Sequence, residues 1–109
     1  MSAITTHVLD TARGRPAAGI PVTLEMYDSG REWKLLGKGV TDADGRIRDF
    51  LDPSAEPIKG VYRLTFDVEA YQRGFYPHVV VAFRVENPGE HYHVPLLLGA
   101  FSYSTYRGS

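Results

Sequence analysis

Cysteine is absent from the 109 residues, which removes disulfide frameworks, thiolate zinc sites and cysteine nucleophiles together and leaves the redox compartment open. Charge of one sign is not in excess: 12 basic residues stand against 13 acidic ones, for a formal charge of −1. Without a basic stripe to neutralise phosphates, nucleic acid is not an expected partner. No apolar run approaches the roughly 20 residues that span a bilayer, and the opening MSAITTHVLD has neither the charged start nor the apolar stretch of a leader. A cytoplasmic protein without membrane contact is expected. Also missing are a G-x-S-x-G elbow, a Gly-rich phosphate loop and an H-E-x-x-H pair, so three common catalytic designs are excluded.

What is present is strand periodicity. In IPVTLEMYD, Val22, Leu24 and Met26 share one face, and Thr23, Glu25 and Tyr27 the other. GVYRLTFDV repeats the pattern with Tyr62, Leu64, Phe66 and Val68 opposite Arg63, Thr65 and Asp67. HVVVAFRV is apolar on both faces in its middle, which predicts a strand inside a sheet. Turn signals at ARGRPAAG, DSGR, DADGR, DPSAEP and ENPGE separate the runs. Their spacing predicts a single all-β domain, a sandwich of about seven or eight strands. One short helix is expected near EAYQRG, residues 69–74.

There are four histidines. His91 and His93 form an H-x-H pair that a strand places on one face, with Tyr92, Val94 and Leu96 on the other. The pair reads either as a hydrogen-bonded structural couple or as groups that ligate a metal or trade protons. A metal site needs a third or fourth ligand, which His7 supplies only if the fold brings it close. His78, after a proline, reads as structural. DADGR opens like a calcium loop but lacks the bidentate glutamate, so it reads as a tight turn in which Gly45 takes a positive φ. Arg46 then begins a strand; taken alone it reads as a solvated surface residue. The catalytic kit is therefore histidine, arginine and tyrosine, which suits acid/base chemistry on a small polar molecule.

Three stretches, ITTHVLDTARGRPAAGIPVTL, TDADGR and HYHVPLLLGAFSYSTYRGS, resemble the 5-hydroxyisourate hydrolases, the transthyretin-related enzymes of uric acid breakdown. The resemblance covers nearly the whole chain, and its terminal YRGS is its most specific element. Transthyretin, a thyroid-hormone carrier, is similar in scaffold but lacks the counterparts of His7, Arg46, His93 and the tail Tyr106, Arg107, Gly108, Ser109. The enzyme is therefore favoured over the carrier.

The resemblance implies a transthyretin-like sandwich assembled as a homotetramer, a dimer of dimers crossed by a channel. Its substrate is 5-hydroxyisourate, hydrolysed at a ring amide to 2-oxo-4-hydroxy-4-carboxy-5-ureidoimidazoline, with no metal or organic cofactor. It further implies that His7 and His93 manage protons and that Arg46 binds substrate oxygens or developing charge. Tyr106, Arg107, Gly108 and Ser109, including the Ser109 hydroxyl and chain-end carboxylate, close the pocket against substrate. Phe101 and Tyr103 are expected in a final strand. His91 is expected as a strand or interface histidine, and Arg107 equally as the partner of a neighbouring subunit's carboxylate. The segment EAYQRGFYPHVV is short for the family, which often has a longer helix there. Two alternatives remain: a carrier with an apolar channel, and a metal-binding protein using the H-x-H pair.

Overall fold

The computed structural model describes residues 3–52 and 54–109. Two sheets pack face to face. The first has β1 (Ile4–Asp10) at its centre, flanked on one side by β2 (Arg15–Pro16) and β5 (Arg46–Ile47) and on the other by β8 (Tyr92–Leu98), which carries β9 (Tyr103–Thr105). The second runs β4 (Trp33–Val40), β3 (Pro21–Tyr27), β6 (Gly60–Asp67), β7 (His78–Val85). The single short helix expected from the sequence is α1 (Val68–Tyr71), one turn capped by Asp67. Among the described residues, two of the nine strands are only two residues long, so the expectation of seven or eight matches the substantial ones.

The core follows from alternation. Val22 and Leu24, then Tyr62, Leu64 and Phe66, and from the facing sheet Ile4, Val8, Tyr92, Val94, Leu96 and Leu98 are all buried. Each fully buried aliphatic or aromatic side chain contributes about 1.5–3 kcal/mol. Tyr62 buries its ring against Phe83 and donates its hydroxyl to the Ile58 carbonyl, leaving no orphaned polar group. On the outer face of β3 and β6, Glu25 and Arg63 are register partners and form a 2.8 Å ion pair, with the guanidinium over Trp33.

One expectation is corrected. HVVVAFRV is not interior: β7 is an edge strand of its sheet, and Val80 on its outer face is 51% exposed. Phe101 also lies before β9 rather than in it, and is exposed. Among the described residues, no helix is long and apolar enough to cross a membrane.

The DADGR turn is as the sequence predicts. Asp42 Oδ1 accepts from the backbone N–H groups of Asp44 and Arg46, and Gly45 sits at φ 75°. Its carbonyl accepts from Val8 N at 2.7 Å, which ties the turn to β1. A Cβ on Gly45 meets the Val8 carbonyl. Gly45→Ala is therefore expected to destabilise by about 2 kcal/mol or more, read as a lower urea midpoint with unchanged slope.

Candidate active site

The outer face of the β1 sheet gathers the chemistry, and register explains how. β1 pairs in parallel with β8, placing Thr5 opposite His93, and antiparallel with β5, placing His7 opposite Arg46. Paired residues share a face, and alternation puts Thr5 and His7 on the same side of β1. Arg46 and His93 therefore flank β1 on opposite sides, at positions two residues apart along it.

Arg46, Arg48, His91, His93 and Ser109 line a hollow of about 290 Å³ over Thr5. His7 stands beside Arg46, and the Asp44 backbone favours its charged form. The tail is held by Gly108, whose N–H donates to the His93 carbonyl at 2.8 Å in an isolated antiparallel bridge. That bridge brings Ser109 to the hollow. Thus Arg46, His93 and Ser109 line one hollow, with His7 paired to Arg46 across β1 and β5 and Gly108 bridged to His93.

Tyr106 and Arg107 do not join them within one protomer. They line a second hollow with Val81, Phe83, Tyr92 and Val94 at the open edge between the sheets. Arg107 lies over the Tyr92 ring at 4.4 Å and donates to Glu90 of its own chain at 3.0 Å and to the His91 carbonyl. These contacts hold its guanidinium outside the hollow that His93 lines, and its carboxylate partner belongs to the same chain.

Three residues near the site were not singled out as catalytic in the sequence. Thr5, buried, bonds both imidazoles: Oγ1 is 2.7 Å from His93 Nδ1 and 3.0 Å from His91 Nε2. His91 precedes β8 and stacks on His93 with ring centroids 6.3 Å apart. Arg48 pairs with Asp42 at 3.6 Å while lining the hollow. The available signal was the two-residue step along a strand, which puts Thr5 with His7 and Arg48 with Arg46. Among the described residues, no three His, Asp or Glu side chains converge as metal ligands. His78 opens β7, opposite Asp67 and away from this face.

Electrostatics favour neutral imidazoles. Burial, then the Arg46 guanidinium, holds His7 below the ordinary 6.5, against the opposing pull of the Asp44 hydrogen bond and of Asp42 and Asp44. His93 is lowered by burial, then Arg46, His91 and His7. At neutral pH both rings are proton acceptors beside a fixed cation, an arrangement able to activate water and hold an oxyanion. Depressed folded-state values mean that the unfolded chain binds more protons as pH falls through about 6.5, so stability rises with pH in that window. Urea midpoints are expected to be higher at about pH 7.5 than at about pH 5.5, with the gap narrowed in His7→Asn/His93→Asn. An unchanged gap contradicts these shifts.

The HIUase/Transthyretin family pattern matches residues 4–108. The chain is 49% identical to 5-hydroxyisourate hydrolase of Halalkalibacterium halodurans, covering 97% of each. It is 44% identical to the uric acid degradation bifunctional protein TTL of Arabidopsis thaliana over 97% of its own length, and spans 37% of that longer protein. Among solved structures, Klebsiella pneumoniae 5-hydroxyisourate hydrolase superposes with TM-score 0.84 at 33% identity over all of both chains. Sea bream transthyretin in complex with thyroxine superposes at 0.88 with 31% identity, over 97% and 94%. With the pattern matched almost end to end and a bacterial relative near half identical, the chain belongs to the HIUase/Transthyretin family.

Proposed function

We propose that the chain hydrolyses 5-hydroxyisourate to 2-oxo-4-hydroxy-4-carboxy-5-ureidoimidazoline, using His93, His7 and Arg46 with the Ser109 end of the tail. The observation that carries this is the placement of His7, Arg46 and His93 on one sheet face, where Arg46 and His93 line a hollow and His7 pairs with Arg46. The bacterial relative bearing that enzyme's name is matched over 97% of its length. A hollow lined by arginine, histidine and serine suits a polar heterocycle and is a poor seat for an apolar hormone.

In this mechanism Arg46 holds the amide oxygen and stabilises the charge that develops there as water adds. His93 Nε2, which has no protein partner among the described residues, takes the proton from water. The carbon–nitrogen bond breaks, the proton passes to the leaving ring nitrogen, and the water oxygen remains in the new carboxylate. His7, beside Arg46, presents a lone pair that orients the water or substrate. Arg107 and Tyr106 hold the tail so that Ser109 reaches the substrate. No cofactor takes part.

The assembly we propose is a homotetramer, a dimer of dimers. Supporting it are the uncovered edge strand β7 and the contacting aromatics Phe75, Tyr76, Phe101 and Tyr103, of which Phe101 is 76% exposed. The same reading assigns a cytoplasmic setting, checked by fractionating the native host. Light scattering at four times the 12.1 kDa chain mass is expected; a monomer contradicts the assembly. Reaction in 18O-labelled water is expected to place one label in the product carboxylate, and a product without label rules out this route.

His93→Asn is expected to lower kcat by about 100-fold or more, and His7→Asn by less, since one removes the base and the other an orienting group. A larger loss for His7→Asn in pH–rate profiles exchanges the two roles.

A further inference from the structure

Thr5 presents one hydroxyl to two imidazoles. Its Oγ1 lies 2.7 Å from Nδ1 of His93 and 3.0 Å from Nε2 of His91, and the rings stand at 25° to each other. A hydroxyl carries one hydrogen, so it donates to one ring and accepts from the other. Two arrangements satisfy both bonds. In the first, Thr5 donates to His91 Nε2 and accepts from His93 Nδ1–H, which leaves the His93 lone pair on Nε2. In the second, His91 Nε2–H donates to Thr5, Thr5 donates to His93 Nδ1, and the proton of neutral His93 sits on Nε2. A charged His91 has a hydrogen on both nitrogens and is compatible only with the second.

We propose that Thr5 and His91 are a positioning pair that sets the tautomer of His93. Neutral His91 leaves Nε2 of His93 free to act as base, and protonated His91 switches it off through the Thr5 hydroxyl. Neither residue is asked to touch the reacting atoms. The pair deepens the hydrolase reading above and rests on it for the role of His93.

The proton count closes. A proton arriving at His93 Nε2 moves the Nδ1 hydrogen onto Thr5 Oγ1, and the hydroxyl's own hydrogen passes to His91 Nε2. One proton enters, and the positive charge ends on exposed His91, one ring farther from Arg46. The other charged or titratable groups facing the pair are His7 from β1, Arg46 from β5 and Arg48 just after it, the Ser109 end of the tail, and Glu90 and Arg107 beside His91. Burial keeps Thr5 from exchanging these partners for water, which makes the choice between two arrangements a closed one.

The test is long-range 1H–15N NMR on histidine-labelled protein from about pH 5 to about pH 9, with Thr5→Val, Thr5→Ser and His91→Phe. In the parent protein His93 Nε2 is expected to be pyridine-type at high pH and to gain a proton in step with His91. Thr5→Val uncouples the two rings, and Thr5→Ser restores the coupling. In turnover, Thr5→Val is expected to lower kcat by about tenfold with KM within about twofold, and Thr5→Ser to stay within about threefold of the parent. His91→Phe is expected to move the acid limb to lower pH, because His93 then titrates alone, held down by burial and Arg46. A merely electrostatic His91 moves that limb the other way, since its charge depresses His93. An upward move, or a His93 tautomer that ignores His91 in the spectra, overturns the proposal. Should Thr5→Val not fold, the spectra of the parent and His91→Phe decide alone. Absent turnover with the coupled tautomers intact refutes the hydrolase reading and leaves the switch standing.

Discussion

Arg46→Ala is expected to lower kcat/KM by about 10²- to 10³-fold, the loss typical of removing one group that stabilises an oxyanion. The side chain is half-buried at the start of a two-residue strand, and the backbone bonds of its turn are made by Asp42 and Gly45. The fold is therefore expected to keep its stability to within about 1 kcal/mol. The guanidinium also acts on both imidazoles, lowering His7 and His93. Its removal raises both, so the acid limb of any residual activity shifts to higher pH. Arg46→Lys keeps the charge but loses the planar fork, and is expected to recover part of the rate. A near-normal rate in Arg46→Ala, or an acid limb that does not move upward, removes Arg46 from the mechanism.

Gly108→Ala is expected to cost tenfold or more in kcat, although it adds only one methyl group. A Cβ there lies 2.6 Å from His93 Cδ2 and 3.2 Å from Pro95 Cγ. Either the tail lifts, breaking the 2.8 Å bond to the His93 carbonyl and withdrawing Ser109, or the imidazole turns off Thr5. Both outcomes damage the site, because catalytic groups tolerate little displacement. Gly89→Ala is the control, since a Cβ there meets nothing within 4 Å. Equal activity in the two variants contradicts a tail docked on His93.

Much of this was legible in the residues, for physical reasons. A period of two marks a half-buried strand, and the shared faces of Val22 with Leu24 and of Tyr62, Leu64 and Phe66 are the buried ones. Asp42 and Gly45 announced their turn because few residue types make those bonds or that φ. The double-faced apolarity of β7 was misread as an interior position. Alternation reports that a face is covered, and is silent on whether the cover is the same chain or another copy. The meeting of His7 with Arg46 and of Thr5 with His93 depends on long-range register, which local pattern does not specify. Only the resemblance to a family brought His7, Arg46 and His93 together beforehand. Within one chain Tyr106 and Arg107 line a different hollow from His93, and Arg107 is held there by Tyr92 and Glu90, contacts invisible in a tail's composition.

The measurement that bears most directly on the central claim is an ultraviolet time course in which urate oxidase makes 5-hydroxyisourate in situ. Loss of the intermediate is followed with the parent protein, with Arg46→Ala and with no addition. Catalysis by the His7, Arg46 and His93 site predicts decay well above the spontaneous rate with the parent protein, falling back toward that rate with Arg46→Ala. Decay at the spontaneous rate in the presence of a folded, tetrameric parent protein contradicts it and leaves a carrier in its place.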